Sequence, residues 1–228
     1  AEGRGEAFDY LPGERTLPSA DEAARAAAAH LLLARHPVVS VNGNAAALVP
    51  DELVALAATV GADLEVNLFN RTDERMQAIA DHLRAHGARE VKGLTADARI
   101  PGLDHERAKV DAEGIADADV VLVPLEDGDR AAALAEMGKV ELVVDLNPLS
   151  RSAQAADVPI VDNILRAIPN VTAHARELAE ADRETLEGIT ADFDAAATLA
   201  DAERAIRAGD LDSRREGTGL SDRPYAVL

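Results

Sequence analysis

Two stretches of this 228-residue chain carry residue types suited to holding anions. The first is Asp145-Leu146-Asn147-Pro148-Leu149-Ser150-Arg151-Ser152, which follows the apolar run Leu142 to Val144. Asp145 therefore stands at a strand end, where a carboxylate can accept from ribose hydroxyls or an adenine amino group. Arg151 and Ser152 follow a turn set by Pro148 and can donate to phosphate oxygens. A capped turn with an exposed arginine is the competing reading. The second stretch is His105-Glu106-Arg107 with Lys109, inside a polar connection from Thr95 to Asp119. Connections of that length in compact domains are usually functional. Lys109 is one of only three lysines, with Lys92 and Lys139, and beside an arginine and a histidine it reads as an anion clamp. A surface excursion with paired charges would look the same.

A third group, Glu126, Asp127 and Asp129, puts three carboxylates within four residues. They repel one another unless a cation balances them. Magnesium bridging nucleotide phosphates would do so, as would Arg130 alone, and a solvated acidic loop remains open. Several other chemistries lack their motifs. There is no GxxxxGK[ST] phosphate loop, no GxGxxG after the first apolar run and no GxSxG elbow. With no cysteine and no histidine pair at metal-binding spacing, no protein-held metal site is expected.

The elements that must position these groups alternate along the chain. Short β-branched runs at Val38–Val41, Leu64–Val66, Val120–Val123, Leu142–Val144 and Val158–Val161 read as buried strands, and Val91 as the centre of another. Between them lie helical patterns: Ser19 to His36, Asp51 to Val60, Asp73 to His86, Arg130 to Met137, and one starting at Asn163. Asn42-Gly43-Asn44 reads as a turn. Strands separated by helices of ten or more residues imply an α/β fold, a doubly wound, Rossmann-like parallel sheet with helical additions at both ends. The expected organisation is an N-terminal segment and helix over 1–36, a nucleotide-binding core over 37–172, a charged helical extension over 173–208 and a mobile tail over 209–228. Ligands on such sheets bind beyond the carboxyl ends of the strands. Those ends carry Asn42 to Asn44, Asn67 with Asn70 and Arg71, the 126–130 acidic loop, the 145–152 loop, and Asp162-Asn163, whereas the opposite loops are short and bland.

Composition narrows the partners. The net charge is −19, from 42 acidic and 23 basic residues, which repels nucleic acid and anionic lipid. High acidity with scarce lysine and abundant alanine fits a salt-rich cytosol, so a cytoplasmic enzyme of a salt-loving archaeon is expected. No apolar run reaches the roughly 20 residues that span a bilayer, and the start shows no signal-peptide pattern.

Several segments together resemble the archaeal 4-phosphopantoate–β-alanine ligase family, also called phosphopantothenate synthetase. They are Gly3-Arg4-Gly5-Glu6-Ala7-Phe8-Asp9-Tyr10-Leu11, Ser40-Val41-Asn42-Gly43-Asn44, Leu48-Val49-Pro50 and Glu65-Val66-Asn67-Leu68-Phe69. Ile100-Pro101-Gly102-Leu103 with His105-Glu106-Arg107, the run Val123 to Arg130, the run Asp145 to Ser152, and Val161-Asp162-Asn163-Ile164 with Arg166 complete them. The resemblance covers about Gly3 to Ala173. It implies a homodimer that uses ATP, with magnesium, to join 4-phosphopantoate to β-alanine and releases AMP and diphosphate. It also implies ATP contacts at Arg4, Asp145, Leu146, Asn147, Arg151, Ser152, Asn163 and Ile164. The family carries a further helical segment with an ATP-facing arginine ahead of Gly3, which is expected to have been removed here.

For such a reaction the substrate phosphate and carboxylate fall to His105, Arg107, Lys109 or Arg130, and the amine's proton to His105 or Glu126. Two other readings of the same fold are a nicotinamide-dependent oxidoreductase, which the missing glycine fingerprint opposes, and a non-catalytic nucleotide-binding protein.

Overall fold

A computed structural model describes residues 5–125 and 128–209. Arg4, Glu126, Asp127 and the expected tail beyond Gly209 lie outside the described residues.

Helix α1 (Glu6–Tyr10) and α2 (Pro18–Leu33) precede the first strand, β1 (Pro37–Val41). The chain continues through α3 (Gly43–Leu48), α4 (Pro50–Val60), β2 (Asp63–Val66) and α5 (Asp73–Ala85). A small excursion follows, β3 (Ala98–Arg99), a 3-10 turn at Glu106–Ala108 and β4 (Lys109–Val110). Then come β5 (Val120–Pro124), α6 (Gly128–Glu136), β6 (Val140–Val144), α7 (Arg151–Ala155) and β7 (Val158–Ile160). Helices α8 (Ile164–Glu177), α9 (Arg183–Asp192) and α10 (Ala195–Ala208) close the described chain.

Five strands form one parallel sheet in the order β2-β1-β5-β6-β7, and β3 pairs with β4 in an antiparallel hairpin. The alternation of strand side chains divides the core. Val39, Val41, Leu64, Val66, Leu122, Leu142, Val144, Val158 and Ile160 pack against the alanine-rich face of α2 and against α4, α5 and α8. Val38, Val121 and Val123 face the other way, onto α6 and the hairpin segment, with Ile100, Val110, Ile115 and Leu134. Both faces are covered, as parallel sheets require. Alanines at 23, 24, 26, 27, 28 and 29 are all at most 1% exposed, which lets α2 lie close to its neighbours.

Several local readings change. Asn42-Gly43-Asn44 is not a free turn: Asn42 caps α3, its side chain accepting from the N–H groups of Asn44 and Ala45. Helix α2 starts one residue before Ser19, with Pro18 in its first turn, and ends at Leu33 rather than His36. The strand expected around Val91 shrinks to a single bridge between Lys92 and Glu65. Gly93 explains the truncation. Its φ is +95°, and a Cβ there would sit 2.2 Å from the Val66 carbonyl oxygen, so the chain turns off the sheet at close range. The long 95–119 connection is organised by the β3–β4 hairpin.

Sheet order reverses direction between β1 and β5: β1 leads outward to β2, β5 outward to β6 and β7. Such a switch point opens a crevice at the strand carboxyl ends. Asn42 bridges it by donating Nδ2 to the Pro124 carbonyl at 2.8 Å. Leu125, the next residue, has φ +57°, an unfavourable value for a side chain of its size, so strain is held at the mouth of the crevice.

Candidate active site

The carboxyl edge of the sheet carries a chain of polar contacts running from β7 to β2. At the β7 end, Arg166 joins three segments. Its Nη2 donates to Asp9 Oδ1 at 2.5 Å and to Asp162 Oδ1 at 2.6 Å, and its Nε reaches Asp162 at 2.9 Å. Asp9 is 6% and Asp162 3% exposed. Burial disfavours the Arg166 charge, but the two aspartates outweigh it and raise its proton affinity. Asn163 donates Nδ2 to Asp9 Oδ2 at 3.0 Å while its Oδ1 caps α8 through Leu165 N–H. Thr16 donates to the second oxygen of Asp162 at 2.6 Å. The α1 segment is thereby tied down beside Asn163, and Gly5 packs on Leu146, where an added Cβ would come within 3.1 Å.

The loop after β6 is braced from within. Asp145 accepts from Asn147 N–H at 3.0 Å and from Ser150 Oγ at 2.7 Å, and Asn147 Oδ1 accepts from Leu149 N–H at 2.9 Å. A carboxylate has lone pairs beyond those two bonds, so Asp145 can still accept from a ligand. Ser150 caps α7 through Ala153 N–H. Arg151, in the first turn, is largely exposed and pairs with Asp129 of α6 at 2.6 Å. A Cβ on Gly128 would meet the Arg151 Cβ at 2.6 Å, so the starts of α6 and α7 touch. Ser152 and Ile164 are buried.

Toward β2, the cationic residues separate into two groups. Arg107 is 6% exposed and donates Nε to Asn67 Oδ1 at 3.1 Å, while Asn67 Nδ2 donates to the Arg107 and Lys109 carbonyls. Arg130 is fully buried and donates Nη2 to Ser40 Oγ at 3.2 Å. These two guanidinium groups are withdrawn from solvent. Lys109, His105 and Arg151 are the sequence-predicted side chains nearer the surface. Lys109 pairs with Glu106 at 2.8 Å, and the His105 ring lies 5.3 Å from that of Phe69.

Sequence reasoning passed over Glu65. It sits fully buried in β2, accepting from Ile115 N–H at 2.6 Å and Asp111 N–H at 3.0 Å. Through these bonds it anchors the hairpin segment to the sheet. Burial pushes its carboxyl up to about 7, although the two N–H donors and the Arg130 charge oppose the rise. A carboxylate between Leu64 and Val66 in an apolar run was the available signal. No group of three metal-binding side chains occurs among the described residues. No described helix is long and apolar enough to cross a membrane.

A doubly wound α/β sheet with its polar loops gathered at one edge, at a strand-order reversal, defines a Rossmann-like fold of the class that binds ligands beyond the carboxyl ends of its strands. The sequence matches the model of the phosphopantothenate/pantothenate synthetase family over residues 19–209, and the chain belongs to that family. It is 57% identical over 208 residues to the 4-phosphopantoate–beta-alanine ligase of Thermococcus kodakarensis, which spans 91% of this chain and 80% of that protein. The same-named ligase of Methanosarcina mazei is 52% identical over 207 residues, 91% of this chain and 81% of that protein. Nothing in these likenesses supports the nicotinamide-dependent alternative.

Glu65 makes stability pH-dependent in a known direction. Folded, its carboxyl keeps a proton up to about pH 7, whereas the ordinary value is 4.5. The folded state therefore binds more protons between those values, and its stability falls as pH rises through them. The effect amounts to at most about 3 kcal/mol. Urea denaturation of wild type against Glu65→Gln should show a flatter pH profile in the variant; equal slopes would mean Glu65 is ionised throughout.

Proposed function

We propose that this chain is an ATP-dependent ligase that condenses 4-phosphopantoate with β-alanine to 4′-phosphopantothenate, releasing AMP and diphosphate. The observation that carries this reading is the polar edge on which Asn42, Asp145 and Asp162 with Asn163, from segments shared with the family, follow β1, β6 and β7, with Asp9 bonded to Asn163.

A carboxylate is a poor acylating agent because its oxygen is a poor leaving group. In the proposed reaction a pantoate carboxylate oxygen attacks the α-phosphorus of ATP and diphosphate leaves. The β-alanine nitrogen then attacks the acyl carbon, AMP departs, and the ammonium proton passes to a base. The protein's task is to hold mutually repelling anions in line and to neutralise charge on the phosphates. ATP is assigned to the braced loop at Asp145, Leu146 and Asn147, to Arg151 and Ser152, to Asn163 and Ile164, and, as the family resemblance implies, to Arg4. Asp145 would accept from the nucleoside and Arg151 would exchange its exposed Asp129 partner for phosphate. Lys109 and His105 are assigned to the second substrate, Arg107 and Arg130 to positive potential from beneath, and His105 or Glu126 to the amine proton. Magnesium would supply further charge neutralisation on ATP.

The family resemblance implies a homodimer, and the charge of −19 suits high salt. Sedimentation across rising potassium chloride should show a dimer that persists or strengthens with salt; a monomer throughout, or a dimer that salt dissociates, would contradict this.

Mixing the protein with ATP, magnesium, 4-phosphopantoate and β-alanine should release AMP only when both acids are present. Arg151→Ala should lower kcat/KM for ATP by about tenfold or more, the loss of one charge-assisted contact. ATP binding without AMP release would instead favour a non-catalytic nucleotide-binding protein.

A further inference from the structure

Helices α6 and α7 start side by side at the carboxyl edge of the sheet, and their first turns carry opposite charges. Arg151 Nη1 lies 2.6 Å from Asp129 Oδ1, and the two side chains are 75% and 61% exposed. Gly128 makes the approach possible. A Cβ there would come within 2.6 Å of the Arg151 Cβ and 3.2 Å of its Nε, so the arginine side chain is laid across the glycine to reach Asp129.

Two features allow this pair to open. An exposed ion pair contributes little, because water solvates each partner almost as well as the partners solvate each other. Asp129 also stands in the first turn of a nine-residue helix, whose positive end stabilises a carboxylate with or without a facing arginine. Arg166 is built the other way. Its partners Asp9 and Asp162 are buried, so opening that contact would strand carboxylates away from water. Arg166 is a fixed brace, whereas Arg151 is held by a partner it can give up.

We propose that Asp129 competes with nucleotide phosphate for Arg151, so that it keeps ATP binding loose and takes the guanidinium back as product leaves. The inference rests on the ligase reading, in which Arg151 holds a phosphate of ATP. A nucleotide gains Arg151 only by displacing Asp129, which lowers its affinity by the strength of the pair, up to about fivefold for an exposed contact. ATP tolerates that loss because its other contacts remain and a phosphate carries more charge than a carboxylate. After the reaction those contacts are divided between AMP and diphosphate, and the fragment on Arg151 keeps only its own share. Asp129 stays tethered within reach, so it returns to the guanidinium as an intramolecular partner at high effective concentration. Asp129 is therefore a positioning residue that acts through Arg151, and salt, which screens an exposed pair, weakens its action.

The test measures KM for ATP and inhibition constants for AMP and diphosphate in wild type, Asp129→Asn, Arg151→Ala and the double variant, at low and high potassium chloride. Both side chains lie largely in solvent, so the substitutions leave the core intact. Asp129→Asn should lower KM for ATP about two- to fivefold and lower the inhibition constant of at least one product by a similar factor. Most of that gain should disappear at high salt, and breaking a merely structural ion pair would produce no gain at all. In an Arg151→Ala background the same substitution should do little. Equal gains in both backgrounds would mean that Asp129 acts by its charge alone, and a KM for ATP unchanged or raised in Asp129→Asn would mean that it does not hold Arg151 back. Either result overturns the proposal while leaving the ligase reading intact. Should wild type release no AMP, the ligase reading falls, and calorimetric titration with ATP decides this inference alone: tighter binding in Asp129→Asn that Arg151→Ala abolishes supports it, and binding that is absent or unaltered overturns it.

Discussion

The proposed joining of ATP and a phosphorylated acid on a chain of charge −19 sets a constraint before any catalysis. Positive charge and donors must be concentrated where the anions meet, and the surrounding acidity must be kept from neutralising them. The parallel sheet meets this constraint by geometry. Its five carboxyl ends lie side by side at about 4.8 Å spacing, so loops distant in sequence share one rim. The order reversal between β1 and β5 opens that rim into a crevice, with Asn42 bridging it below. Arg107 and Arg130 are buried, donating to Asn67 and Ser40.

Precision at the rim comes from contacts that do not themselves face a ligand. Arg166, Asp9 and Asp162 fasten α1 to the end of β7 and orient Asn163. Asp145 and Ser150 stiffen the loop before α7, and Glu65 holds the hairpin segment against β2. The carboxyl groups among them, Asp9, Asp162, Asp145 and Glu65, are buried or half-buried with their partners in place, so removing one partner leaves a shielded polar group unsatisfied rather than an empty space. The loops are in this sense pre-organised: ordering is completed on folding, and less remains to be done when substrates arrive.

The architecture was largely legible in the sequence because it rests on long periodic signals. Strands at Val120, Leu142 and Val158 and helices over 73–85 and from Asn163 follow from β-branched runs, helix caps and turn residues. Short elements were not: α3 and α7 are five or six residues, too brief for periodicity, and the Val91 run has strand composition but is cut off by Gly93. The polar edge was readable by listing strand ends. Depth was not, since nothing local distinguishes a surface arginine from Arg130, which is buried only because α6 packs on β5 and β6 with Ser40 beneath it. Likewise Asp9 and Arg166 are 157 residues apart, a pairing no spacing rule foresees, though both lie in segments shared with the ligase family.

The most direct measurement is a crystal structure of the protein with a non-hydrolysable ATP analogue and 4-phosphopantoate bound together. The account places the nucleotide against the loops that follow β6 and β7, and the two phosphate-bearing groups converging toward the crevice between β1 and β5. A nucleotide bound at the amino ends of the strands, or between α2 and α9 beside Arg25 and Phe193, would contradict it.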